Sequence, residues 1–222
     1  QGLDSQYTLI LIDGVPLVGR SAGTLDLSRI SVGNIKQIEI IKGASSSLYG
    51  NEALGGVINI ITENPKNGFK GDVNYRGGSF GTQDISTNIN YKKNKFGVNA
   101  FVNRFSSNGY DLVDTDAVNT VEPFSNYTLS SKLTYDFSEN TKLLLSGRFY
   151  HQNQDNVASE TIKGESEINE WNTLLKLDHT FNKNWSSYLE FYATQYKAEE
   201  FLNDAIGDSF SQSDFDQRFI RP

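Results

Sequence analysis

Two histidines and two glycine-rich segments are the parts of this sequence whose residue types could do chemistry. His151 and His179 are the only histidines among the 222 residues, and there is no cysteine. Neither histidine belongs to an HExxH motif, and GxSxG and paired-cysteine motifs are absent. His179 lies in an alternating segment and is interpreted as structural, whereas His151 begins a predicted loop that could reach a ligand. The sequence therefore predicts that the protein is not an enzyme.

The glycine-rich segments suggest tight bends and polar contacts rather than phosphate chemistry. Residues 50–56 have the composition of a phosphate-cradling loop, but the Gly-Lys-Ser/Thr of that motif is absent and a strand follows. Gly43, Gly50, Gly55 and Gly56 instead permit tight bends and close backbone approach. In the other segment, residues 18–25 (VGRSAGTL), the side chains of Arg20, Ser21 and Thr24 can hydrogen-bond a polar ligand.

Composition narrows the class of protein. The formal net charge is −7, so the basic face that binds a phosphate backbone is not expected, and nucleic acid is disfavoured as a partner. No apolar run approaches the ~20 residues that a membrane helix needs. This composition is compatible with a water-soluble protein and equally with a membrane β-barrel, in which only alternate residues face lipid.

The first 65 residues contain short apolar runs that predict strands buried on both faces. These runs are residues 7–15, 35–42 and 57–62, and the first is broken by the turn dipeptide Asp13-Gly14. Residues 28–34 and residues 45–48 are each predicted to hold a helical turn, the second with Ser45 as its N-cap.

From Phe69 onward the pattern changes to alternation of apolar and polar residues. On the segment from Tyr127 to Phe137, for example, Leu129 and Leu133 share one face, and Ser130 and Lys132 share the other. Each such segment has about ten residues, as a tilted strand that crosses a bilayer requires. Aromatic residues near segment ends are typical of interfacial girdles: Tyr91, Phe96, Tyr135, Phe137, Phe181 and Trp185.

The connections between these segments alternate in length. Residues 92–95, 138–141 and 182–184 are predicted tight turns, and residues 77–83 form a connection of middle length. Residues 106–126, 152–169 and 199–214 are predicted long polar loops. Short turns on one side and long loops on the other are typical of outer-membrane barrels. A soluble antiparallel sandwich also alternates, and the pattern alone leaves it open.

Three stretches resemble the plug of TonB-dependent outer-membrane receptors: residues 9–17 (LILIDGVPL), 25–29 (LDLSR) and 35–62 (IKQIEIIKGASSSLYGNEALGGVINIIT). The resemblance implies a mainly β fold, in which an α+β plug fragment precedes a transmembrane antiparallel β-barrel that is incomplete in this chain. Residues 1–65 would be the C-terminal part of the plug, and residues 66–222 the first seven to eight barrel strands. We expect the sequence to be part of a longer receptor.

The resemblance also implies roles for particular residues. The loop at the plug apex would bind the solute through Gly19, Arg20, Ser21, Ala22, Gly23 and Thr24. Plug packing and hinge motion would fall to Glu39, Lys42, Gly43, Tyr49, Gly50, Gly55 and Gly56. Glu39 and Lys42 would pair with charges on the inner barrel wall, although a solvated strand face explains them equally well. No catalytic residue is implied.

Residues 108–111 (NGYD) resemble the start of a calcium-binding loop of the cobalamin receptors. The candidate ligands are carboxylates, which suit calcium: Asp111, Asp114, Asp116 and Asp155. Solvated acidic loops remain the alternative. The resemblance requires no cofactor and leaves calcium in the outer loops open.

The family implies import of a scarce solute across the outer membrane of a Gram-negative bacterium. The cargo would be a cobalamin-like corrinoid or a ferric siderophore, with haem as an alternative. Implied partners are the energy-coupling protein TonB, whose contact region is outside this sequence, the small-molecule solute and outer-membrane lipid; a surface lipoprotein is left open. A non-transporting surface barrel or adhesin and a soluble β-rich binding domain are the competing interpretations.

Overall fold

The computed structural model describes residues 7–21, 24–43, 53–113, 118–157, 159, 161–204, 207 and 209–221. These residues form a small mixed sheet, a two-stranded ribbon and a large antiparallel sheet. Within them, no helix is long and apolar enough to cross a membrane. The strands are β1 (Thr8–Ile12), β2 (Val15–Pro16), β3 (Arg20–Ser21), β4 (Thr24–Leu25), β5 (Ile35–Lys42), β6 (Gly56–Thr62), β7 (Gly68–Gly77), β8 (Gln83–Lys93), β9 (Phe96–Ser107), β10 (Phe124–Asp136), β11 (Thr141–Val157), β12 (Lys163–Asn182), β13 (Trp185–Asn203) and β14 (Ser209–Arg221).

The small sheet has the strand order β2-β1-β6-β5, with β1 and β6 parallel at its centre. Apolar side chains cover both faces of this pair, as parallel strands require. One face packs Ile10, Ile12 and Ile60 with Leu17 and Leu25, and the other packs Leu9, Leu11 and Val57 with Ala53. The prediction of strands buried on both faces is therefore confirmed for β1 and β6.

The same prediction is wrong for β5. This strand forms the edge of the small sheet, and Ile38, Ile40 and Ile41 are exposed, Ile40 by 63%. An apolar run indicates that a strand favours burial, but it does not indicate whether a neighbouring element covers the strand. Within the described part of the chain, nothing covers this edge.

A single turn of 3-10 helix, Leu27–Arg29, follows β4. Asp26 is its N-cap and accepts a hydrogen bond from the Ser28 backbone N–H at 2.8 Å. The predicted helical turn within residues 28–34 is thus found one residue earlier, and residues 45–48 lie outside the described residues. The turn matters because it carries Arg29 into the interior.

The large sheet contains β7 to β14 in sequence order, each antiparallel to the next. This arrangement confirms the predicted run of barrel strands. The connections β8–β9, β10–β11 and β12–β13 are tight and lie at one end of the sheet, because successive strands reverse direction. The small sheet and the 3-10 turn lie against the inner face, where Lys132 of β10 contacts Asp13 of the β1–β2 turn and Glu170 of β12 contacts Arg29.

The two faces of the large sheet have opposite polarity. On β10, Asn126, Thr128 and Lys132 are buried toward the small sheet, while Leu129 and Leu133 point outward, Leu129 with 52% of its surface exposed. The same outward face carries Leu145, Leu175 and Leu189 on the following strands. An apolar exterior around a polar interior is the reverse of a water-soluble sandwich, and it is the arrangement that lipid selects.

Two predicted long loops are largely strand, and this part of the prediction is wrong. β11 continues to Val157 and β12 begins at Lys163, so residues 152–169 form mostly an extended hairpin. β13 likewise continues to Asn203, and β14 begins at Ser209. The extensions of β11, β12 and β13 are mostly polar, and their apolar residues are Val157, Ile168, Phe201 and Leu202. The backbone hydrogen bonds between these strands therefore continue beyond the point at which the sequence stops alternating between apolar and polar residues.

Candidate functional site

The first contact between the small sheet and the inner face is made at the β1–β2 turn. Lys132 Nζ donates to Asp13 Oδ1 at 2.7 Å, to the Thr62 carbonyl at 3.1 Å and to Asn64 Oδ1 at 3.2 Å. Asp13 also accepts from the backbone N–H and the hydroxyl of Thr62, at 2.9 and 2.7 Å. All three ammonium donors are therefore used, which offsets the cost of burying the charge.

A second contact places one carboxylate between two arginines. Glu170 of β12 accepts from Arg29 at 2.9 Å and from Arg148 of β11 at 2.8 Å. The side chains of Arg29 and Glu170 are fully buried. Each oxygen of Glu170 takes one guanidinium, so a single wall residue fixes both arginines.

The Arg29 guanidinium connects this cluster to the loop that follows β2. It donates to the carbonyls of Val18 and Gly19 at 2.9 and 3.2 Å, and it lies 4.7 Å from the centre of the Tyr196 ring. Arg148 in turn donates to the Arg29 carbonyl. Movement of Arg29 would therefore disturb the loop, the 3-10 turn and the wall together.

The predicted solute-binding loop is held tightly at its start. Gly19 has a φ of +80°, its N–H donates to Gln217 of β14 at 2.9 Å, and a Cβ at this position would collide with the Tyr196 ring. Arg20 donates to the Thr8 carbonyl at 2.8 Å. Ser21 and Thr24 pair in the β3–β4 ribbon, and Ala22 and Gly23 lie outside the described residues. Gly19 thus packs against the wall, and solute binding by this loop stays a prediction.

Beside the 3-10 turn, a cleft of about 560 Å³ opens along the inner face. We call it the outer chamber. It lies toward the end of the sheet that carries the β9–β10 connection, and Ser28 contributes to its lining. Its wall combines amides, aromatic rings and carboxylates, including Phe105, Phe124, Asn119, Glu122, Asn126, Gln152, Gln154, Asn156 and Glu200.

Hydrogen bonds order the chamber wall. The Tyr150 hydroxyl donates to Gln152 at 2.5 Å, and Gln152 donates to Gln154 at 3.0 Å. Asn156 donates to Glu200 at 3.0 Å. The amides therefore form a row along β11 that presents both donors and acceptors to whatever occupies the chamber.

The described residues predicted for plug packing lie on or next to β5 and β6 of the small sheet. A Cβ on Gly55 would be 3.1 Å from the Tyr7 carbonyl oxygen, and one on Gly56 would be 2.5 Å from the Ile41 carbonyl oxygen. Gly43 has a φ of +92°, and no described atom lies within 4 Å of an added Cβ. Tyr49 and Gly50 lie outside the described residues. Close backbone approach thus occurs at Gly55 and Gly56.

The predicted charges of β5 are exposed. Glu39 accepts from Gln37 at 2.7 Å and from Asn59 at 3.3 Å, both within the small sheet. Lys42 is exposed as well. These contacts favour the solvated-face alternative in the described part of the chain, and pairing of Glu39 or Lys42 with a wall charge stays a prediction.

The calcium candidates are only partly described. Asp111 accepts from the Val113 N–H at 2.9 Å and from the Thr120 hydroxyl at 3.2 Å, and Asp155 lies on β11 rather than in a loop. Asp114 and Asp116 lie outside the described residues. Among the residues that the structure describes, no three acidic or histidine side chains are grouped to hold a metal ion. Calcium binding stays a prediction.

The predicted loop position of His151 is wrong, because this residue lies within β11. Its ring stacks on Phe149 at 6.5 Å between centroids and lies 6.3 Å from Tyr127, both of which are on the outward face. Its Nδ1 is 2.9 Å from Asn169 Oδ1. His151 therefore points away from the chamber. His179 contacts the Thr141 hydroxyl at 2.8 Å, in line with a structural role.

Residues 1–57 match the family model of the TonB-dependent receptor plug domain. Residues 1–57 are thus similar to the plug domain of the TonB-dependent receptors. The match confirms the family recognised in the sequence, and the strands that follow the plug form the expected antiparallel wall.

Solved structures of TonB-dependent receptors share this fold. The ferripyoverdine receptor of the Pseudomonas aeruginosa outer membrane, bound to ferripyoverdine, is 16% identical with a TM-score of 0.72, over 96% of this chain and 31% of that one. The ferric-catecholate import receptor Fiu of E. coli K12 is 15% identical with a TM-score of 0.73, over 98% and 38%. The siderophore receptor PiuA of Acinetobacter baumannii is 15% identical with a TM-score of 0.66, over 90% and 30%. This chain therefore spans about a third of the length of such receptors.

Five residues that form the ionic contacts between plug and wall were not predicted as site residues: Asp13, Arg29, Lys132, Arg148 and Glu170. One signal was present in the sequence, because Lys132 occupies the polar face of its alternating segment. The partners could not be assigned, since pairing across the plug boundary joins residues as far apart as Arg29 and Glu170.

Proposed function

We propose that this chain is part of a TonB-dependent outer-membrane receptor that imports a scarce solute by rearrangement of its plug. The cargo class is a cobalamin-like corrinoid or a ferric siderophore. In this proposal residues 1–65 belong to the plug and residues 66–222 to the barrel, which crosses the outer membrane of a Gram-negative bacterium. TonB supplies the energy.

The observation that carries the proposal is the polarity of the wall around a plug. Its outward face is apolar, and its inward face holds the plug through the buried pairs Asp13–Lys132 and Arg29–Glu170. An adhesin that only needs a surface barrel has no use for a plug anchored in this way, and a soluble domain would not expose such a band of leucines.

The structure suggests how solute binding is coupled to the plug. Ser28 lines the outer chamber, and its neighbour Arg29 is held by Glu170. A solute in the chamber would therefore contact the same 3-10 turn that is bound to the wall. A pull on the plug from the periplasm would break the Arg29 contacts and change the chamber floor, which lowers affinity and releases the solute.

The decisive experiment is energised uptake by cells that express the complete receptor, with mass spectrometry of the purified protein to identify a co-bound corrinoid, haem or ferric chelate. We expect one bound solute, with uptake that stops when the inner membrane is de-energised. Removal of the plug segment should abolish specific uptake. If energised uptake continues unchanged without the plug, the proposal fails.

The alternative function is a haem importer of the same family, and an absorption spectrum of the purified receptor tests for it. His151, which was predicted to reach a ligand from a loop, lies on the outward face beside Phe149 and Tyr127. The described contacts of this chain therefore supply no argument for haem, and a Soret band in the purified receptor would be the outcome that restores it.

A further inference from the structure

The outer chamber contains two buried acceptor atoms without a hydrogen-bond partner. Asn126 is 5% exposed, and its Oδ1 has no partner among the described residues. Glu122 Oε1 is likewise buried and unpartnered, although its Oε2 accepts from Asn119 at 2.7 Å. Both residues line the outer chamber. Because a buried acceptor without a donor is costly, both atoms call for donors from an occupant.

The charges near the chamber also favour an occupant that is not anionic. The strand connections at this end, residues 78–82, 108–123, 158–162 and 204–208, contain carboxylates but no lysine or arginine. The described carboxylates of these connections are Asp111, Glu122 and Asp204. A cleft bordered by one sign of charge attracts solutes of the opposite sign and repels its own.

At this end the wall carries Lys163, the first residue of β12, and Arg76 of β7, which is paired with Asp84 at 2.6 Å, and neither of them lines the chamber. The described side chains that line the chamber include the carboxylates Glu122 and Glu200 but no lysine or arginine. The nearest cluster of arginines, Arg29 and Arg148, is deeper in the interior and already bound to Glu170. Among the described residues that line the chamber, an anionic solute would therefore meet carboxylates and no lysine or arginine.

We propose that the outer chamber binds a solute of neutral or positive net charge that donates N–H or O–H hydrogen bonds to Glu122 and Asn126, and that a polyanionic ferric catecholate is excluded. The amides of Gln152 and Gln154 supply further polar contacts, and the rings of Phe105 and Phe124, 5.0 Å apart, supply an apolar surface. This inference rests on the proposed transport function and narrows its cargo.

The test is a binding titration with the complete receptor in detergent. The probes are a ferric trihydroxamate that bears one protonated amine, the same complex with the amine acetylated, neutral cyanocobalamin, and a trianionic ferric tris-catecholate. We expect a cationic or neutral probe to bind and the tris-catecholate to bind least. The protonated amine should improve the affinity of the trihydroxamate about tenfold over its acetylated form, and added salt should reduce this advantage.

Two substitutions test whether Glu122 and Asn126 are responsible for the binding of these probes. Glu122→Gln should remove the advantage of the protonated amine while leaving the acetylated complex nearly unchanged, and Asn126→Leu should weaken both. Glu139→Gln removes the same charge from an exposed turn at the opposite end of the sheet, and it should change neither. Circular dichroism of each variant shows whether the barrel is intact.

The outcomes separate this inference from the transport function. Tighter binding of the tris-catecholate than of every cationic or neutral probe overturns the inference, and so does binding of none of those probes or an amine preference that survives Glu122→Gln. Energised uptake of the tris-catecholate would overturn it while supporting the transport function. Uptake that needs neither plug nor energy overturns the transport function instead.

Discussion

At the scale of single residues, Glu170 is the point on which the plug contacts converge. Its two oxygens hold Arg29 of the plug and Arg148 of the wall, and the Arg29 side chain reaches the backbone of the loop after β2. A buried ion pair of this kind adds little net stability over apolar packing, but the loss of one partner leaves a charge uncompensated. In this protein the buried pair fixes the position of the plug relative to the wall.

Glu170→Ala should loosen the plug, because two buried guanidinium groups would lose their counter-ion. We expect a destabilisation of about 3–5 kcal/mol, measured as faster hydrogen exchange of the β1 and β6 amides in the complete receptor. The control is Glu165→Ala, which removes an exposed carboxylate from the same strand. Equal exchange in the two variants would contradict an anchoring role for Glu170.

Gly19→Ala tests the close packing at the start of the apex loop. The φ of +80° alone costs a residue with a Cβ about 1–2 kcal/mol, and the collision with Tyr196 adds roughly 1–3 kcal/mol. Gly14→Ala is a matched control, since Gly14 has a φ of +85° but no atom within 4 Å of an added Cβ.

The readout for both glycine variants is the free energy of unfolding in detergent, together with solute affinity. We expect Gly19→Ala to be the more damaging substitution. Equal losses for the two would mean that backbone strain alone is responsible, and that the Tyr196 contact is unimportant.

At the scale of elements, the strands of the large sheet divide into two parts. The part near the tight turns alternates apolar outward and polar inward, and the extensions of β11, β12 and β13 are mostly polar without this alternation. The sequence predicted the part near the tight turns well, because alternation with period two is a direct record of two different environments. The sequence did not predict the extensions as strands, because a strand with water on both sides shows no apolar alternation.

Leu175→Arg tests whether the outward leucine band faces lipid. Leu175 lies on the outward face of β12, between Trp171 and Phe181, and is 42% exposed. An arginine near the middle of the bilayer should cost about 2–4 kcal/mol. We expect less receptor in the outer-membrane fraction and loss of heat-modifiable mobility on gels.

The control for this substitution is Asn153→Arg, which places the same charge on the exposed polar extension of β11 and should cost no more than ~1 kcal/mol. If both variants assembled normally, the band of leucines would not be in contact with hydrocarbon.

At the scale of the whole molecule, the large sheet is open. β7 and β14 are its edges, and neither pairs with another described strand on its outer side. Unpaired edge groups are costly in lipid and promote association in water. The exposed isoleucines of β5 belong to the same picture, because part of the plug surface is uncovered in this chain.

Residues 1–222 expressed alone should therefore not form a monodisperse membrane protein. We expect aggregation, or association through the β7 and β14 edges, in size-exclusion chromatography in detergent. The complete receptor under the same conditions is the control. A monomeric, heat-modifiable species from the isolated residues would show that the eight strands close by themselves.

The sequence by itself determined the family, the plug strands β1 and β6, and the run of alternating strands, because those features are local patterns of residue type. Only the tertiary structure decided which charges meet. The pairs Asp13–Lys132 and Arg29–Glu170 arise where distant segments are brought together. Register and packing across the plug and the wall create these contacts, and no local pattern encodes them, since each depends on the whole sheet being in place.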